Sequence, residues 1–242
     1  MNDKIRRGSL LAVASTQGGG IDIDNYLTIV ALEDGLTASL SVNDVEYCID
    51  GNGNWSTLTA GTKSPAINTG QTLSFRGNLT PASYEGVGTF KISKSCDLTG
   101  NCNSILFGDD AVNNNSLSGK DYAFNYLFEN CTTIRNVSTN FLPATTLADN
   151  CYTYMFEGCI SLTTAPELPA TILKFECYCY MFYGCSKLNY IKAMFTTTPE
   201  NDYTDSWVSG VASSGTFVKN KDATWNVTGP DGIPSGWTVQ TA

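Results

Sequence analysis

The chain repeats itself. Around Cys151 it reads CYTYMFEGCISL and around Cys177 it reads CYCYMFYGCSKL, so that Cys151 and Cys177, Phe156 and Phe182, Cys159 and Cys185, and Leu162 and Leu188 each lie 26 residues apart. The upstream flanks keep the same offset, LPATTL from Leu142 against LPATIL from Leu168. An earlier copy, YLFENCTTI, places Phe128, Cys131 and Ile134 each 28 residues before Phe156, Cys159 and Leu162. A worn first copy, CNSILFG from Cys102, keeps the Cys-to-Phe spacing but has Asp110 where later units have Cys. Downstream, Val208, Gly210 and Val211 fall 26 residues after Phe182, Gly184 and Cys185.

A period of that length predicts a solenoid, in which each unit supplies a short strand and a compact return segment. One unit cannot bury its apolar face alone, whereas stacked units share a continuous core. The recurring Phe, Cys and Leu are then ladders along the solenoid axis, Gly158 and Gly184 sit where the chain turns tightly, and Pro143 and Pro169 open the return segments. Two aromatic ladders stand out as candidate ligand surface: Tyr126, Tyr154 and Tyr180 share one position, and Tyr152 and Tyr178 share another. Tyrosine combines a flat apolar ring with a hydroxyl, which suits sugars and protein surfaces alike.

The unit F-x-G-C-x-x-L, with its Leu-Pro-Ala flank and aromatic run, resembles the BspA-type leucine-rich repeats of Bacteroides-group surface proteins. The tail, with Trp207 to Val211, Gly215 to Phe217 and Gly232 to Trp237, is similar to the closing segment that follows such repeats. Similar cassettes occur in fibre-like proteins of phages that infect those bacteria. The resemblance covers about residues 96–242 and implies surface attachment or display rather than catalysis.

Ahead of the repeats the pattern changes. YLTIVAL, LTASLSV, VEYCI, WSTLTAG, TLSFRGN and GTFKIS are short runs rich in Thr, Val, Tyr and Ile with turn residues between them, which predicts an antiparallel β-sandwich over residues 25–95. Residues 1–24 read as an arm. Lys4, Arg6 and Arg7 concentrate positive charge, Leu10 and Leu11 could fill a shallow groove on a partner, and Gly18 to Gly20 form a joint. The expected organisation is therefore mainly β: arm 1–24, sandwich 25–95, leucine-rich-repeat solenoid 96–218, and a C-terminal capping segment 219–242.

Composition narrows the function. The 242 residues contain no histidine, which removes Ser–His–Asp and Cys–His nucleophilic machinery and His-ligated zinc. Lys and Arg number 14 against 23 Asp and Glu, a formal charge of −9 that repels nucleic acid. No apolar run is long enough for a membrane span. The nine cysteines are expected as buried free thiols, since stacked ladder positions neither converge on a metal nor bring Cβ atoms to disulfide distance. Asp50-Gly-Asn-Gly-Asn54 opens like an EF-hand loop but has Trp55 and Gly61 at the sixth and twelfth positions, and reads as a hairpin turn. Asp22, Asp24, Asp109 and Asp110 read as solvated loop carboxylates. No cofactor, metal or catalytic residue is assigned.

The expectation is a non-enzymatic phage virion surface protein, a head or tail fibre or a capsid decoration protein. It would dock on capsid or other virion proteins through the arm and present its repeats to a host surface glycan or protein, as a homo-oligomer with a trimer preferred. The alternatives are a cellular BspA-like adhesin on a bacterial surface and, third, a carbohydrate-active enzyme.

Overall fold

A computed structural model describes residues 20–242. The anchoring residues Lys4, Arg6, Arg7, Leu10 and Leu11 lie outside them. Of the expected joint only Gly20 is described, and the chain is already docked one residue later: Ile21 N–H donates to the Gly51 carbonyl at 2.8 Å. A single turn of 3-10 helix follows at Ile23–Asn25, with the Asp22 carboxylate capping the Asp24 amide.

The fold is mainly β, and its C-terminal part is a β-solenoid of about four turns. Five parallel strands form its flat side after a first one that faces both ways. These are β7 (Cys96–Thr99), β8 (Ile134–Val137), β9 (Thr164–Leu168), β10 (Tyr190–Ala193), β11 (Thr216–Lys219) and β12 (Thr238–Thr241). The starts of β9, β10 and β11 at Thr164, Tyr190 and Thr216 reproduce the 26-residue period of the sequence.

The opposite side of each coil is a run of consecutive tight turns, at residues 121–130, 149–158, 175–184 and 205–210. Within a run every fourth residue has positive φ: Tyr122, Tyr126 and Asn130 in the first, Asn150, Tyr154 and Gly158 in the second, Glu176, Tyr180 and Gly184 in the third. This periodic reversal sends alternate amides along the solenoid axis. Tyr122, Phe124, Tyr126, Phe128 and Asn130 donate to the carbonyls of Asp149, Cys151, Thr153, Met155 and Glu157 in the next coil, at 2.7–3.1 Å. The intervening amides close the turns within their own coil, such as Leu127 to Phe124 and Glu129 to Tyr126. The backbone is thus satisfied without a second sheet.

Between strands and turns lie the ladders. Phe128, Phe156 and Phe182 are fully buried and stack at 5.5 and 5.8 Å with their planes within 11°. Cys159 and Cys185 sit on the same rungs, their thiols donating to the Phe128 and Phe156 carbonyls of the preceding coil at 3.2 and 3.0 Å. All nine cysteines are buried and free. Past Phe182 the ladder ends on Trp207, which is wholly buried and packs on Tyr178, Phe182, Phe195 and Phe217.

The block before the solenoid does not confirm the antiparallel sandwich expected over residues 25–95. Its strands are β1 (Leu27–Ala31), β2 (Ala38–Leu40), β3 (Val45–Ile49), β4 (Ser56–Leu58), β5 (Thr72–Arg76) and β6 (Phe90–Ile92). β4, β3, β5 and β1 continue the solenoid sheet directly, giving one ten-stranded sheet in the order β12-β11-β10-β9-β8-β7-β1-β5-β3-β4. β1 is antiparallel to both neighbours, with Ile29 opposite Leu73 on one side and Leu98 on the other. Among the described residues the second layer is the β2–β6 pair. β6 lies against the first coil, where Phe90 N–H donates to the Leu127 carbonyl at 2.7 Å and the Phe90 ring stacks on Phe128 at 5.6 Å. Alternation within a run reveals which face of a strand is buried; it carries no information on which strand lies beside it.

Candidate functional site

Two of the five candidate tyrosines are not on the surface. Tyr152 and Tyr178 are 1 % and 0 % exposed, stacked on each other at 5.9 Å and, through Tyr152, on Phe124 at 5.6 Å. Burial pushes both phenols well up, and the Tyr152 hydroxyl has no hydrogen-bond partner. They belong to the core and are corrected here from the ligand surface assigned by sequence. The reason is the turn geometry. With a four-residue turn repeat, Tyr152 points inward with Phe156 and Tyr154 points outward with Gly158, although in a strand residues two apart would share a face.

Tyr126, Tyr154 and Tyr180 do stand together on the outside, each partly exposed. Their rings stack at 4.8 Å for both steps with planes within 10°, the same spacing as neighbouring rungs of a sheet. Each has positive φ, 60°, 57° and 56°. An L-residue with a bulky side chain is strained in that region by about 1–2 kcal/mol. Asn and Gly fill other turn positions of this kind at Asn130, Asn150, Gly158 and Gly184, Tyr122 and Glu176 bear the same strain, and at the three comb tyrosines the strain accompanies the ring stack.

Stacking has a chemical consequence. The ring faces cover one another, so the stripe offers solvent a comb of ring edges and hydroxyls rather than flat platforms. One end of the comb is tied by the Tyr180 hydroxyl donating to Asp205 Oδ2 at 2.8 Å, and this hydrogen bond raises the Tyr180 phenol. At the other end Tyr84 meets Tyr126 edge-on at 5.7 Å. Burial, then the Tyr84 hydroxyl, raise the Tyr126 phenol.

Beside the comb runs a row of carboxylates that sequence reading passed over. Glu129 and Glu157 occupy equivalent positions, next to Phe128 and Phe156, and the signal was present in the same 28-residue offset. Burial, then the charge of Glu129, push the Glu157 carboxyl up, and burial, then Glu157, push up the Tyr154 phenol. Tyr84 was also missed. It lies in PASYEGVG outside any repeat, and nothing local marks it.

Asp50 and Asp109 have structural partners. Asp50 accepts from Gln71 Nε2 at 2.7 Å and from the Thr72 amide at 2.9 Å. Asp109 accepts from Arg76 at 2.8 Å and from the Tyr26 hydroxyl at 2.9 Å, with the Arg76 guanidinium lying 4.2 Å over the Trp55 ring. No group of three or more metal-ligating side chains occurs among the described residues. Burial raises the thiols of Cys177, Cys179 and Cys185 to about 12, which keeps them protonated and poor nucleophiles at neutral pH. No helix among the described residues is long and apolar enough to cross a membrane.

Comparison with known proteins finds no matching family model, curated protein or solved structure.

Proposed function

We propose that this chain is a non-enzymatic surface-display protein of a phage virion, a head or tail fibre or a capsid decoration protein, built on BspA-type leucine-rich repeats. The observation that carries the reading is the tyrosine comb. Three aromatic side chains are held at strained backbone positions on the outer side of a solenoid, in a row with regular spacing. Such a row is a recognition surface of fixed geometry, and the protonated, buried thiols around it supply no reacting group. The acidic balance of the chain directs the surface towards neutral or basic partners rather than phosphate backbones.

In this reading residues 2–17 dock the chain on a capsid or tail protein through Lys4, Arg6 and Arg7, with Leu10 and Leu11 seated in a groove. The repeats face the host, with a trimer the preferred assembly. The test is quantitative mass spectrometry of purified virions, with and without deletion of residues 2–17. The full chain is expected at fixed stoichiometry in the particle, and the deleted chain is expected to keep its melting temperature but lose incorporation. Recovery of the full chain in the bacterial envelope fraction and its absence from virions would overturn the proposal in favour of a cellular adhesin.

A further inference from the structure

Between the β2–β6 pair and the first solenoid coil runs a furrow, at the end of the tyrosine comb. Its larger part is an open hollow of about 440 Å³ walled by Val42, Tyr84, Thr89 and Tyr126 and edged by Glu85 and Glu129. That volume is within the range of about 300–1,000 Å³ usual for small-molecule sites. Glu129 also borders a second hollow of about 170 Å³ on its other side, where Lys63, Lys91 and Asn130 contribute. On the wall of the larger hollow the backbone at Gly88 comes close to Val42. Gly88 has φ +101°, and a Cβ there would lie 2.8 Å from Val42 Cγ2.

Tyr84 differs from the tyrosines of the comb. It is 63 % exposed and touches Tyr126 only edge-on, so most of its surface is free to be covered by a ligand. The charged groups beside it are the carboxylates Glu85 and Glu129, and lysines enter only in the second hollow, so that the furrow as a whole is mixed in sign. Glu85 and Glu129 are acceptors when ionised, Lys63 and Lys91 are donors, and Thr89 is both. A polyanion meets the two carboxylates and the net negative charge of the chain, while a polycation long enough to run on into the second hollow meets Lys63 and Lys91 there. A hydroxyl-rich neutral molecule satisfies both kinds of group, and its apolar C–H face can lie on an aromatic ring.

We infer that the furrow between the β2–β6 pair and the first coil binds a neutral oligosaccharide, with Tyr84 covering an apolar sugar face and Glu85 and Glu129 accepting from sugar hydroxyls. The inference rests on the attachment reading, whose ligand class it names, and adds a saccharide site at the junction, where the tyrosine comb ends. Glu129, bordering both hollows, lets one ligand run from the first into the second.

The test is isothermal titration calorimetry on the full chain with maltotriose, cellotriose and mannotriose, and with 3′-sialyllactose and octalysine as charged counter-probes. Binding of at least one neutral trisaccharide is expected. Tyr84→Ala and Glu129→Gln should each weaken it about tenfold or more, with melting temperatures unchanged. Tyr183→Ala, at the far end of the comb and 41 % exposed, should leave it unaltered. The proposal is overturned by three outcomes: no neutral trisaccharide bound, binding indifferent to Tyr84→Ala, or tighter binding of either charged probe. A chain present in virions whose furrow binds none of these sugars would sink this inference while leaving the attachment reading standing.

Discussion

Phe156 sits between Phe128 and Phe182 with no exposed surface, so its removal leaves a cavity that two rungs share. Phe156→Ala is expected to cost about 3–5 kcal/mol in urea unfolding; a loss below 1 kcal/mol would mean the ladder does not carry the core. Glycines on one ladder are not equivalent. Gly158 has φ +68° and a Cβ there would strike Asn130 Oδ1, whereas at Gly184, with φ +72°, the nearest atom would be Gly158 Cα at 3.9 Å. Gly184→Ala should therefore lose only the conformational term, about 1 kcal/mol, and Gly158→Ala measurably more in the same assay. The thiols add a pH signature. Folding raises Cys177 and Cys185 from the ordinary 9.0 to about 12, so both states hold the proton below pH 9 and only the unfolded state releases it above. Stability is thus fully present below about pH 9 and lost progressively towards pH 12, by up to about 1.4 kcal/mol per pH unit for each such thiol. Chemical denaturation from pH 8 to 10.5 measures it, and a flat profile would contradict the burial. At this scale the sequence was informative about stacking and silent about direction. The constant offset placed Phe, Cys and Tyr in ladders, but an offset is identical for residues facing in and out, so Tyr152 and Tyr154 could not be told apart.

Strand β7 carries the joint between the two halves, antiparallel to β1 on one side and parallel to β8 on the other. A cut before Cys96 removes its β1 partner over the register Thr28–Thr99 to Ala31–Cys96 and strips Phe90 from Phe128. A fragment of residues 96–242 is accordingly expected to aggregate or to lack a cooperative transition, because β7 becomes an open edge and the first coil loses its cover. A soluble fragment with the parent melting temperature would show that the solenoid stands alone. The strands of the first half were legible from their Thr-, Val- and Ile-rich runs and turn residues, whereas the period announced one strand per solenoid unit without placing it. Their pairing was not, since β1 finds β7 across some seventy residues of chain and no local pattern records that contact.

One hydrophobic cluster runs through the whole described molecule, from Leu27 and Ile29 through the phenylalanine ladder to Trp225 and Trp237. A single core predicts a single transition: far-UV ellipticity and tryptophan fluorescence, with Trp55 in the first half and Trp207 in the solenoid, should give coincident midpoints in denaturant. Two separated midpoints would divide the molecule into independent units. The unbroken sheet also has a mechanical meaning. A sideways pull at the outer coils passes through ladder hydrogen bonds that continue strand by strand to β4, narrowest between β8 and β9, where Asn136–Thr164 is the single registered pair. A load at Trp237 therefore reaches Leu27 only through that step, and the reach of the described chain is set by the number of coils stacked beyond it.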